Sequence, residues 1–139
     1  MILLDTNVLI YAGDQASPFH QWASNLIAEA VAEGEGICVN TVSLAEVCVG
    51  DADPASVSQR IAAWGVELVA VPPTAAADCA AAYVTYRARR KADSGKDAPA
   101  TPLPDFFIGA HAQVMGWTLA TGDAARFKTY FPSVQVVSP

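Results

Sequence analysis

Asp5, Glu46, Asp105 and Asp123 stand where apolar segments end or helices begin, each beside polar residues able to orient a carboxylate. Ile2-Leu3-Leu4 reads as a buried strand that stops on Asp5-Thr6-Asn7, placing a carboxylate, a hydroxyl and an amide at a strand's carboxyl end. Glu46 follows Ser43 in the opening of a short helix, Asp105 follows Pro104, and Asp123 closes the phrase Thr121-Gly122-Asp123. Two carboxylates about 5 Å apart repel by roughly 3 kcal/mol at an effective dielectric near 20, so a cleft that gathers all of them needs a cation. Oxygen donors without a Cys or His cluster select Mg2+, or Mn2+, over zinc. The chemistry to expect is phosphodiester hydrolysis, in which such an ion acidifies and orients a water and stabilises charge on the departing oxygen. Thr6, Asn7, Ser43 and Thr121 are placed to orient the acids or the waters around the ion.

Each acid also has a plainer use. Asp105 suits a helix N-cap, Glu46 can complete a capping box with Ser43 worth roughly 1 kcal/mol, and Asp123 after Gly122 is an ordinary turn residue. Asp5 ends a buried strand with no evident helix to cap. A second reaction class is a phosphatase or phosphotransferase in which Asp5 itself attacks phosphorus. Asn7 then stands where a second aspartate is needed as the acid, and no lysine occupies a late strand end. A third reading is a binding module with weak catalysis that keeps the acidic fold for partner recognition; the intact set of acids disfavours it.

The elements that must position these groups alternate. Ser17-Pro18 supplies an N-cap and a first-turn proline for a helix with Phe19, Trp22, Ala23, Leu26, Ile27, Ala30 and Val31 at helical spacing, closed by Gly34. Ile37 to Val39 is a strand, and Ser43 opens a helix whose apolar face is Leu44, Val47 and Cys48. Asp53-Pro54 starts another, carrying Val57, Ile61 and Trp64; Leu68 to Val71 is a third strand. Thr74 caps a helix with Cys79, Ala82, Tyr83 and Tyr86 on one face, which runs into Arg87, Arg89, Arg90 and Lys91. Ala92 to Pro104 reads as a mobile loop. Asp105 begins a helix with Ile108, His111, Ala112 and Met115 on one face, ended by Gly116. Trp117 to Ala120 and Val134 to Val137 are the last strands. Strands alternating with helices specify an α/β fold, a parallel sheet covered on both faces.

The chain's 139 residues fit one domain, 1–139, large enough to bury a core without disulfides. Cys38, Cys48 and Cys79 lack metal-ligand spacing and suit core packing. Met1 leads straight into a strand and no apolar run approaches membrane-spanning length, so neither a secretory signal nor a membrane partner is expected, and the cytoplasm is the expected compartment. A net charge of −6 disfavours a non-specific nucleic-acid binder, although bound cations would reverse the potential of an acidic cleft. His20 and His111 are isolated and suit structural roles. Phosphate loops, Ser-His-Asp patterns and dinucleotide fingerprints are absent.

Across nearly its whole length the chain resembles the PIN-domain nucleases, and within them the VapC-like toxins of type II toxin–antitoxin systems. The likeness rests on Leu4-Asp5-Thr6-Asn7, the Ser43/Glu46 pair, Pro104-Asp105 before Ile108-Gly109-Ala110, and Thr121-Gly122-Asp123 followed by Phe127. It implies a PIN-like three-layer sandwich with a parallel sheet of four or five strands. It also implies Asp5, Glu46, Asp105 and Asp123 as the Mg2+ or Mn2+ site supported by Thr121, cleavage of RNA, a homodimer, and a cognate antitoxin occupying the cleft. Relatives often carry Arg or Asn where this chain has Gly122, which removes a phosphate or antitoxin contact and leaves Arg126 as the substitute. Arg87, Arg89, Arg90, Lys91 and Lys96 are the local candidates for holding an RNA backbone, with favourable placement at a helix carboxyl end as the competing role.

Overall fold

The computed structural model describes residues 1–94 and 103–139. Its strands are β1 (Ile2–Leu4), β2 (Ile37–Asn40), β3 (Glu67–Val69), β4 (Thr118–Ala120) and β5 (Val136–Val137). The helices are α1 (Thr6–Gly13), α2 (His20–Glu33), α3 (Thr41–Val49), α4 (Val57–Ala63, after a 3-10 turn at Pro54–Ser56), α5 (Ala75–Ser94), α6 (Leu103–Met115) and α7 (Ala124–Tyr130). All strands are parallel, in the order β3-β2-β1-β4-β5. None of the described helices is long and apolar enough to cross a membrane.

Because side chains alternate across a strand, β1 feeds two cores. Ile2 and Leu4 join Ile37 and Val39 beneath α1, α2 and α4, while Leu3 joins its register partners Cys38 and Leu119 beneath α5, α6 and α7. Helices thus cover both faces in three layers, as the alternating pattern requires. From β1 the chain builds outward through β2 to β3, then crosses the other face to enter β4 on the opposite side of β1. The order reverses at β1, so the crevice beyond the carboxyl ends of β1 and β4 is where such a sheet takes a ligand.

Several local readings are corrected. Two helices went unread: α1, whose start is set by the Asp5 carboxylate accepting from Thr6 N at 2.7 Å, and α7, where Asp123 accepts from Arg126 N at 3.4 Å. Asp5 therefore does cap a helix, and Asp123 is a cap rather than a turn residue. Ser17 does not cap α2; its Oγ accepts from Phe19 N in the preceding turn, and Phe19 occupies the cap position without a side-chain bond. Asn40, not Ser43, caps α3, its Oδ1 accepting from Ser43 N at 3.0 Å. Asp105 lies in the first turn of α6, which begins at Leu103. Met115 is exposed rather than on the buried face of Ile108, His111 and Ala112. Within the segment read as a loop, 92–94 belong to α5 and 103–104 to α6; the remainder lies outside the described residues, and with it Lys96. Cys38 and Cys79 are buried and Cys48 half-buried, all with free thiols, as core packing requires.

Candidate active site

Asp5 sits at the point of strand reversal, only 4% exposed, and is held by three donors. Besides Thr6 N, its Oδ2 accepts from Asn7 Nδ2 at 2.8 Å and from the Thr121 hydroxyl at 2.6 Å. The donor on β4's extension is itself fixed, since Thr121 Oγ1 accepts from Asp123 N at 3.0 Å and Thr121 N bonds Val137 O. Asn7 Oδ1 accepts from Gly122 N at 2.8 Å, tying α1 to the same turn. Burial is the largest influence on the Asp5 carboxyl and pushes it up to about 6; Thr121 opposes the rise, and nearby Asp105 and Glu46 add to it.

Asp105 and Glu46 thus stand within electrostatic reach of Asp5, and Asp123 within reach of Asp105. Glu46 does not close a capping box with Ser43; it accepts from the Thr6 hydroxyl in a short bond across to α1. Asp105 is half-buried, and its carboxyl is raised first by burial, then lowered by Arg126 and raised by Glu46 and Asp123. The Arg126 guanidinium pairs with Asp105 Oδ2 through Nη1 and reaches Asp123 Oδ2 through Nε at 3.4 Å. Residues separated by up to 118 positions therefore converge, from β1, α3, α6 and the start of α7.

Among the described residues, no three Asp, Glu, His or Cys side chains already stand as an assembled metal-ligand set. Arg126 lies against two of the acids and Thr6 holds a third. The donor chemistry nevertheless fits a hard divalent cation: carboxylate oxygens from four elements, with one buried carboxyl made costly to ionise and no imidazole or thiolate among them.

The supporting residues divide. Thr6, Asn7 and Thr121 all bond the acids or the turn that carries them. Ser43 is fully buried and its hydroxyl has no partner among the described residues, so it is not seen orienting Glu46. Arg87, Arg89, Arg90 and Lys91 are exposed on α5, with the Arg89 guanidinium 5.6 Å from the Tyr130 ring centre. His111 is buried against Trp117, with Nδ1 3.3 Å from Asn40 Nδ2, and His20 Nδ1 lies 3.0 Å from Tyr11 O, so both serve structure. Sequence reasoning missed Tyr11. A Cβ at Gly122 would lie 2.6 Å from its hydroxyl, so the space that Arg or Asn would enter is taken by a phenol from α1. Its signal, an aromatic one helical turn beyond Asn7, becomes readable only once α1 is known to be a helix.

Thr121→Val tests how the acid is held. It removes the hydrogen bond that favours the Asp5 carboxylate and leaves Asp123 N without its acceptor. The Asp5 carboxyl should rise above 6, and metal-free stability at pH 8 should fall by about 1–3 kcal/mol, read by carboxyl NMR titration and thermal unfolding.

Topology and side chains together define an α/β protein with acidic residues gathered at its strand reversal. A family model described as PIN domain matches residues 2–131, and the chain belongs to the PIN domain family. No curated protein sequence matches it. Among solved structures it is similar to DNA-bound VapBC from Salmonella typhimurium (TM-score 0.68, 16% identity, covering 99% of this chain and 96% of that one). It is likewise similar to VapBC2 from Rickettsia felis bound to a promoter DNA fragment (0.64, 19%, 99% and 98%). A third likeness is to FitAcB from Neisseria gonorrhoeae (0.58, 21%, 98% and 96%). At these identities the likeness is one of fold.

Proposed function

We propose that this protein is a Mg2+- or Mn2+-dependent endoribonuclease, the toxin of a type II toxin–antitoxin pair, with residues 1–139 acting as one nuclease domain. The observation that carries the reading is Asp5: a buried carboxylate at the strand reversal, held by three donors and within electrostatic reach of Asp105 and Glu46. Asp5, Glu46, Asp105 and Asp123 would hold the ion, which when bound supplies Lewis acidity toward phosphate oxygen and a more acidic water. Thr121 and Asn7 fix the Asp5 rotamer, and Thr6 aims Glu46. Arg87, Arg89, Arg90 and Lys91 offer cationic contacts for the RNA backbone, with Lys96 in the same role. The aspartyl-phosphate alternative loses ground, because Asn7, which stands where the second aspartate would act as the acid, is an amide that cannot exchange a proton.

An antitoxin partner fits the same reading, since one of the similar structures is a toxin–antitoxin complex from Klebsiella pneumoniae. A groove of about 380 Å³ lies beside the acidic edge, between α1, α3 and α4, lined by Leu9, Ile10, Val57, Ile61 and Trp64 and reaching Glu46. An apolar antitoxin segment seated there would end at the acids. Homodimer formation and a cytoplasmic site of action belong to the same proposal.

Purified protein should cleave RNA with Mg2+ or Mn2+ and lose at least about 100-fold in rate with a chelator, measured on end-labelled RNA. Cleavage that survives chelation would overturn the metal-dependent reading.

A further inference from the structure

We infer that Arg126 is a built-in competitor of the metal, a tethered cation that holds the acidic cluster together in the metal-free protein and must leave before an ion can settle. This rests on the metal-binding part of the function proposed above. Arg126 is fixed at its root, because Asp123 Oδ1 accepts from its backbone N in the first turn of α7. From there its guanidinium turns back onto the same cluster, pairing with Asp105 Oδ2 and reaching Asp123 Oδ2. One side chain thus bridges carboxylates from two helices.

Asp105 Oδ2 and Asp123 Oδ2 belong to two of the carboxylates proposed to hold the ion. A carboxylate oxygen that accepts an arginine N–H at contact distance cannot also bind a small hard cation at about 2.1 Å without bringing two positive groups together. Arg126 and the ion therefore exclude one another at Asp105. The exit is open: the Arg126 side chain is 37% exposed, and its stem can swing toward solvent while α7 stays in place. This accounts for the acids sharing an edge without forming a ready-made ligand set. Arg60, by contrast, pairs with Asp51 in the neighbouring groove and leaves the cluster alone. Once displaced, the guanidinium remains tethered at the rim, where a phosphate entering the site would meet it.

The test is Mn2+ binding by titration calorimetry on the full chain, comparing wild type with Arg126→Gln. Loss of the competitor should tighten Mn2+ binding by about tenfold or more and enlarge the thermal shift on adding Mn2+. Equal or weaker binding in the variant overturns the inference and makes Arg126 a positioning residue, leaving the nuclease reading intact. Absence of Mn2+ binding in both proteins overturns the inference and that reading's metal site together. Should Arg126→Gln fail to fold, Arg126→Met, which keeps much of the aliphatic stem and removes the cation, is judged by the same comparison: tighter than wild type supports competition, equal or weaker overturns it.

Discussion

Asp5→Asn should reduce RNA cleavage by roughly a thousandfold or more while raising the melting temperature of the metal-free protein near pH 7.5. The activity loss follows from position, since partners merely orienting a metal ligand are worth about 10–100-fold and Asp5 is placed to be the ligand itself. The stability gain follows from the raised carboxyl. A group at about 6 in the folded chain and 3.8 when unfolded is protonated more readily in the fold. Its stabilising contribution is complete below about pH 4 and is lost as the pH climbs through 6. Above that window the ionised form costs the fold about 3 kcal/mol. Asparagine removes the charge but offers one acceptor oxygen where Asp5 uses two, setting its amide against that of Asn7, so a net gain of about 1–2 kcal/mol is expected. Thermal unfolding in chelator across pH 4 to 8 should show wild type losing stability through the window and the variant losing less, with Asp105, also raised chiefly by burial, contributing the remaining slope. A variant that is less stable than wild type at pH 7.5 would mean the hydrogen bonds outweigh the buried charge.

How much of this was legible depended on which signal each residue carries. The sheet was readable because Ile2-Leu3-Leu4, Ile37-Cys38-Val39 and Thr118-Leu119-Ala120 are short apolar runs, each followed by a helical pattern, and parallel strands buried on both faces need nothing more. Asp5 and Asp123 were readable from their places after two of those runs, Glu46 and Asp105 from the starts of helices whose apolar faces are periodic. The helices that Asp5 and Asp123 cap were not. Val8-Leu9-Ile10 continues an apolar strand by composition, and the helix shows only in the Asp5 cap and in the burial of Val8 and Leu9 in the core. The α7 segment spans seven residues, too few for periodicity to speak. A local pattern also misled at Ser43 and Glu46, whose capping-box spacing is satisfied by other partners, Asn40 and Thr6. The contact between Arg126 and Asp105 joins residues 21 apart across two helices, and propensity carries no trace of it.

Gly109→Ala should be among the most damaging single substitutions outside the acids, although Ala is the better helix former by about 1 kcal/mol. In α6 Gly109 is pressed against Phe131, where α7 ends; a Cβ would overlap the ring's Cδ2 and Cε2 and lie 2.9 Å from Cζ. The ring is 1% exposed and packed against Phe106 and Phe127 at centroid distances of 6.0 and 6.4 Å, so any shift to admit a Cβ disturbs those contacts. Overpacking of this kind costs about 1–3 kcal/mol or more, which outweighs the helix gain and should lower the melting temperature by roughly 5–10 °C. The functional loss follows by leverage. Asp105 lies one turn before Gly109 on the same helix, so forcing α6 off Phe131 carries Asp105 away from Asp123 and from Asp5. Cleavage should fall by about tenfold or more even at temperatures where the variant is folded, because a misplacement near 1 Å is enough. The double variant Gly109→Ala with Phe131→Leu, which removes the ring edge, should recover part of both stability and activity. Recovery of neither would place the fault in the helix itself rather than in its contact with Phe131.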